Sequence, residues 1–242
     1  MDWPEWSERM ILHPHYLGVA LTAALLLASS AVPGWAANDS AAAGRTDQAG
    51  LYVTAIRGVQ DIRTNPGTTP GLTYAHPVQA YFSGNAFLAV GTYKGVGVDS
   101  CTPASGKWSS YTDGETPGGV YFCLTDLTNQ FGVGATPTMK VAQAICSGAN
   151  SGWATYINGN QQRCRPGYNS TGIGGGVGLE VASSGSISGS YNIDVKHSGL
   201  ELYSTYLSTW YDLNANHLNV NAPYQLTRPS TRRVNSYLGT LD

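Results

Sequence analysis

Charge is what this chain has least of. Asp, Glu, Lys and Arg make up only 12% of its 242 residues, and 13 cations against 15 anions leave a formal net charge of −2. Without a basic run there is no electrostatic footprint for a phosphate backbone, so no nucleic-acid partner is expected. Arg228, Arg232 and Arg233 are three charges only and read as a solvated stretch. Histidine is scarce as well, and beyond residue 36 it is limited to His76, His197 and His217, far apart in sequence. That spacing matches no ligand motif; each is expected at the surface or in a turn, with no metal and no cofactor. No Gly-x-Ser-x-Gly stands in a strand-turn-helix context, which excludes the common serine-hydrolase arrangement. Glutamates beyond residue 36 are Glu115, Glu180 and Glu201.

Long apolar runs are lacking too, save one. Leu17 to Val32 (LGVALTAALLLASSAV) is too short for a membrane-spanning helix and is followed by Pro33, Gly34, Trp35 and Ala36. With Gly34 and Ala36 at the −3 and −1 positions of a cut after Ala36, residues 1–36 read as a helical secretory signal peptide, although Asp2, Glu5 and Glu8 make its start unusually acidic. A secreted, extracellular protein with no stable membrane insertion after signal removal is the expectation. Residues 37–50 (ANDSAAAGRTDQAG) carry no apolar period and read as a flexible lead-in, leaving residues 51–242 as one domain.

What is abundant is glycine (30), tyrosine (15) and the small hydroxyl and amide residues, a composition suited to short strands and tight turns. Strands are expected at 51–62, 78–82, 87–93, 139–145, 177–181 and 191–196, the last answered by 200–207 across His197, Ser198 and Gly199. The stretch 102–119 reads as a polar loop, covering a cleft or simply lying on the surface. The clearest local signal is Trp153 to Ile157, then Asn158-Gly159, then Gln161 to Cys164, which predicts a two-residue hairpin. In an exported chain Cys101, Cys123, Cys146 and Cys164 read as two disulfides; of three connectivities, Cys101 with Cys123 and Cys146 with Cys164 is favoured. The fold class expected is an all-β, antiparallel sandwich of jelly-roll type.

Two sets of residues are candidates for function. In VGLEVA, Val177, Leu179 and Val181 occupy one face and Gly178 and Glu180 the other, so Glu180 stands either in water or on a concave surface where burial suits it to general acid or base work. Tyr203, Tyr206, Trp210 and Tyr211 either stack on sugar rings or peptide side chains or cap the core.

The order of these elements resembles the concanavalin-like sandwiches, and among them the glutamic peptidases and neprosin-like proteins. The likeness rests on an exported β-rich chain, the hairpin from Trp153 to Cys164, a glycine-rich connection and the strand bearing Glu180. It implies a glutamate that activates water, the part Glu180 would take, and a glutamine amide that holds the oxyanion. No glutamine lies in 87–95, where that amide is wanted; Gln79, Gln130 and Gln143 are the candidates. The function expected first is a non-catalytic binder of carbohydrate or a cell-surface polymer, with polysaccharide or peptide as partner. The alternative is a glutamic-peptidase-like hydrolase using Glu180.

Overall fold

The computed structural model describes residues 37–46, 52–67, 72–95, 105–149, 151–168, 171–183 and 193–238. The signal peptide and Cys101 lie outside them, and with Cys101 the expected Cys101–Cys123 bridge. The described strands are, in chain order, β1 Ala37–Thr46, β2 Val53–Ile62, β3 Leu72–Tyr81, β4 Phe87–Gly95, β5 Ser105–Glu115, β6 Tyr121–Phe131, β7 Thr138–Ile145, β8 Ser151–Ile157, β9 Asn160–Pro166, β10 Gly174–Ser183, β11 Ile193–Ser204, β12 Thr209–Asp212, β13 His217–Val220, β14 Gln225–Ser230 and β15 Arg233–Leu238.

They form two antiparallel sheets packed face to face. The first runs β13-β1-β10-β3-β4-β5-β6; the second runs β14-β15-β11-β2-β7-β8-β9, with β12 added on β11. The apolar period-2 residues meet between them. Val177, Ile56, Leu202, Leu88, Met139 and Trp153 are all within 1% of complete burial and share one cluster, in which Phe82 meets the Trp153 ring edge-on at 4.8 Å. Burying side chains of this size contributes about 1.5–3 kcal/mol each.

The local signals that were strongest in sequence are present. Asn158 (φ 50°) and Gly159 (φ 80°) turn β8 into β9, and the Asn158 side chain accepts the Thr138 N–H at 2.9 Å, tying the turn to β7. Cys146 and Cys164 are bridged. The hairpin of β3 and β4 closes around Gly84, with Tyr81 opposite Phe87, and every residue of β4 is buried, as its two-faced apolar sequence implies.

Four expectations are corrected. The stretch read as a flexible lead-in forms β1, paired along its whole length with β10; small residues hide a strand from an apolar-period test, but Ala41 and Ala43 are fully buried because only small side chains fit there. The polar stretch 102–119 contains β5, an interior strand between β4 and β6. The turn expected at 197–199 is a bulge: β11 continues through it, with Gly199 at φ 59° and a register shift against β2 between Ser198 and Glu201. In the strand expected at 51–62, an alternation with Val53 and Ala55 on one face and Thr54 and Ile56 on the other is also expected from the sequence, but Val53 and Ile56 both reach the core, and a second register shift at Tyr203/Ser204 explains the change of parity.

The bulge correction moves His197 from a turn to the interior. His76 on β3 and His197 on β11 are completely buried and close enough to interact electrostatically. The His76 ring lies 4.3 Å from Trp108 and its Nδ1 is 3.2 Å from the Thr92 hydroxyl, while its Nε2 and both nitrogens of His197 have no hydrogen-bond partner. Burial drives both imidazoles below their ordinary range, His197 to about 3, with His197 adding to the effect on His76. Both are therefore neutral in the fold, whereas the unfolded chain takes up protons near pH 6.5. Stability is full above pH 6.5 and falls with pH down to about 3, where His197 titrates in the fold. Chemical denaturation at pH 7 and pH 5 should show His197 alone costing roughly 2 kcal/mol at the lower pH. His197→Leu should flatten that slope; an unchanged slope would contradict the assignment.

Candidate active site

The outward face of the first sheet is unusual for a surface. Along β10, Val177, Leu179 and Val181 enter the core, which turns Gly174, Gly176, Gly178 and Glu180 outward. The ladder sets these beside β3, β4 and β5 in level rows. Gly174 lies level with Tyr81, Phe87 and Glu115, and Gly176 with Gln79, Ala89 and Asp113. Pro77, Gly91 and Tyr111 make the next row, and Glu180, Ala75, Tyr93 and Ser109 the one after.

Glycine is required here for close approach. A Cβ on Gly176 would stand 2.0 Å from the Tyr81 hydroxyl and 3.0 Å from the carbonyl of Ala43, and one on Gly91 would stand 2.9 Å from the Tyr111 ring. The two tyrosines thus lie down across the strands instead of standing off them, and Tyr81, Phe87, Ala42 and Ala89 make a small buried cluster on this outer face. The result is a low floor of glycine and alanine, with Glu180 half-buried on one side and Asp113, whose carboxylate accepts from the Tyr121 hydroxyl at 3.4 Å, on the other.

Tyr111 stands three strands across from β10 and one row along from Glu180, with its ring against Gly91 of β4. Burial, then Asp113, Glu180 and Cys123, push its phenol well above the usual tyrosine range. It stays protonated across any working pH and presents an O–H donor among acidic groups. The chemistry such a group can do beside a carboxylate is to donate to an oxygen that is gaining negative charge.

Of the three glutamines considered for that part, none accompanies Glu180. Gln79 shares the face but stands opposite Gly176, four residues along the strand from the Glu180 row and so about 13 Å away along the ladder. Gln130 is on the edge strand β6 and Gln143 is in the other sheet. Tyr111 and Asp113 were missed because they fall in the stretch read as a loop; the signal available was the alternation of Ser109, Tyr111, Asp113 and Glu115 with Ser110, Thr112 and Gly114.

The aromatic group separates. Tyr203 and Trp210 pair across β11 and β12 with ring centroids 5.4 Å apart, and the Arg57 guanidinium covers the indole at 3.9 Å while Glu201 holds Arg57 and Arg232. Tyr211 turns the other way and packs against the core. Tyr206 alone is fully offered to solvent, at 74% exposure. Among the described residues no group of three His, Cys, Asp or Glu could hold a metal ion, and no helix is long and apolar enough to cross a membrane.

No family model matches the chain, and no curated protein does. Solved structures do. Scytalidoglutamic peptidase bound to a transition-state analog inhibitor superposes with a TM-score of 0.54 at 11% identity, covering 83% of this chain and 98% of that one. Its complex with a peptide-based transition-state analog gives 0.51 at 11%, covering 83% and 97%. SCP-B, a member of the eqolisin family of peptidases bound to the tripeptide Ala-Ile-His, gives 0.50 at 11% with the same coverage. The fold is therefore the concanavalin-like sandwich of the glutamic peptidases, as the order of elements in the sequence implied.

The packing of Tyr81 on Gly176 is open to test. Gly176→Ala should destabilise by about 1–3 kcal/mol, the cost of overpacking, and Tyr81→Phe should recover part of it, because it removes the atom nearest the new methyl. A double-mutant cycle in chemical denaturation measures the recovery; strict additivity would show that the two groups do not touch.

Proposed function

We propose that the chain is a secreted hydrolase of the glutamic-peptidase type that cleaves peptide bonds, with Glu180 as its general base. This places the hydrolase ahead of the non-catalytic binder expected first from the sequence. The observation that carries it is Glu180 on the glycine-floored outer face, in electrostatic reach of a Tyr111 phenol kept protonated by burial. The fold shared with peptidases bound to peptide analogs supports it.

On this reading an extended peptide lies along this face, over the Tyr81 and Tyr111 rings that cover Gly176 and Gly91. The Glu180 carboxylate takes a proton from a water molecule as that water's oxygen attacks the scissile carbonyl carbon. The carbonyl π electrons move to oxygen, and the Tyr111 O–H donates to the oxyanion. When the tetrahedral species collapses, the C–N bond breaks and Glu180 returns the proton to the leaving nitrogen. Glu180 ends as it began. Tyr111 here fills the part that the resemblance gives to a glutamine amide.

The test incubates wild type, Glu180→Gln and Tyr111→Phe with a denatured protein and with a set of polysaccharides between pH 3 and 7. Glu180→Gln should abolish proteolysis. Tyr111→Phe should lower kcat by about 10²-fold or more with KM little changed, since its bond forms in the transition state. Proteolysis that survives Glu180→Gln, or release of sugar instead of peptide, would refute the reading.

A further inference from the structure

At one end of the sandwich the two sheets finish in β6 and β9, and between these edges a slot of about 300 Å3 opens to solvent. Glu180 is not part of it, although Tyr111 contributes to its wall. Its lining is mostly polar, with Ser110 and Thr112 from β5, Asp126 from β6, and Gln161, Gln162 and Arg163 from β9. The Thr112 and Thr155 hydroxyls hydrogen-bond at 2.9 Å across the two sheets behind it. Ser110 is 2% exposed, and its hydroxyl has no hydrogen-bond partner. A hydroxyl in that condition costs about 1–3 kcal/mol, a cost that an occupant of the slot would offset.

The slot is shaped by a bulge. Ser109 pairs with Gln130 but Ser110 pairs with Asp126, so residues 127–129 loop out of the ladder and Asp126 is set at the mouth. There the Thr128 amide (2.9 Å) and hydroxyl (2.6 Å) donate to its Oδ1, and the Asn129 amide donates to the same carboxylate. Thr128, with Arg163 adding from the opposite edge, holds the carboxyl below its usual range. One anion and one cation cancel, so the slot selects for neither sign. What it offers is a carboxylate, a guanidinium, two amides and a buried hydroxyl around a small volume, a set of alternating acceptors and donors that matches adjacent hydroxyl groups.

We propose that this slot binds a neutral saccharide unit, whose ring hydroxyls bridge Asp126 and Arg163 at the mouth and reach the Ser110 hydroxyl inside. The carbohydrate expected from composition thereby acquires a place distinct from the Tyr203 and Trp210 surface.

The experiment titrates the full chain with glucose, galactose, mannose and N-acetylglucosamine separately, by calorimetry and ligand-observed NMR, with inorganic phosphate and a neutral tripeptide as comparators. At least one sugar should bind. Ser110→Ala and Asp126→Asn should each weaken it about tenfold, the worth of one hydrogen bond. Asparagine keeps the Oδ1 acceptor that Thr128 uses, and alanine removes an unpaired hydroxyl, so the thermal midpoint of neither variant should fall. Trp210→Ala should leave sugar binding unchanged. Binding of none of the sugars, capture of phosphate or tripeptide with the same sensitivity to Ser110→Ala, sugar binding indifferent to both slot variants, or loss of it in Trp210→Ala would each overturn the proposal.

Discussion

The arrangement depends on how closely backbone can approach backbone along β10. Its inward residues are ordinary core aliphatics, but its outward ones are glycine until Glu180, and across that bare strip the Tyr81 ring lies against both Gly176 and Gly44. Gly178 is held against the backbone of Ala41 and Ala42 at under 3 Å from where a Cβ would sit. The small residues of β1 are the other half of the same constraint, and they explain why a strand is made from a segment with almost no hydrophobic signal. Where a sheet surface would ordinarily present standing side chains to water, this one presents rings laid across glycine with Glu180 on one side and Asp113 on the other.

How much of this was legible in the sequence depended on whether one strand's signal was enough. The Asn158-Gly159 hairpin, the Cys146–Cys164 bridge, β4 and β7 were readable because turn chemistry or local alternation carries them. Glu180 could be named, since Val177, Leu179 and Val181 declare the opposite face. What could not be read was anything set by register. The bulge at Ser198 and Gly199 looks like a turn in one dimension, and only pairing with β2 shows the strand continuing. Tyr111 was invisible as a partner of Glu180 because β3 and β4 stand between them in the sheet.

The interior adds a constraint of its own. Two neutral imidazoles, the Gln60 amide that donates to the His76 carbonyl, and the buried Lys94 amine, which donates to Asn65 at 2.6 Å, lie among residues that a sandwich core would ordinarily fill with aliphatics. The unfavourable part of that choice grows as pH falls, since the histidines resist the protons that the unfolded chain accepts. On the proposed function, activity is bounded on the acid side by the stability of the fold, apart from anything the catalytic carboxylate requires. The two have separate origins, because His76 and His197 face inward while Glu180 faces out.

Strand β5 ties the two faces together. Ser110 and Thr112 line the slot between the sheets, Asp113 stands on the outer surface, and Tyr111, whose ring lies against Gly91, also contributes to the slot wall. On the proposed reading an occupant that hydrogen-bonds Ser110 lies beside the segment that carries the Tyr111 ring over Gly91. Strand β5 is flanked by the bulged ladder to edge strand β6 on one side and by β4, buried at every position, on the other, so the slot wall and the Tyr111 ring share one strand packed against the interior of the sheet.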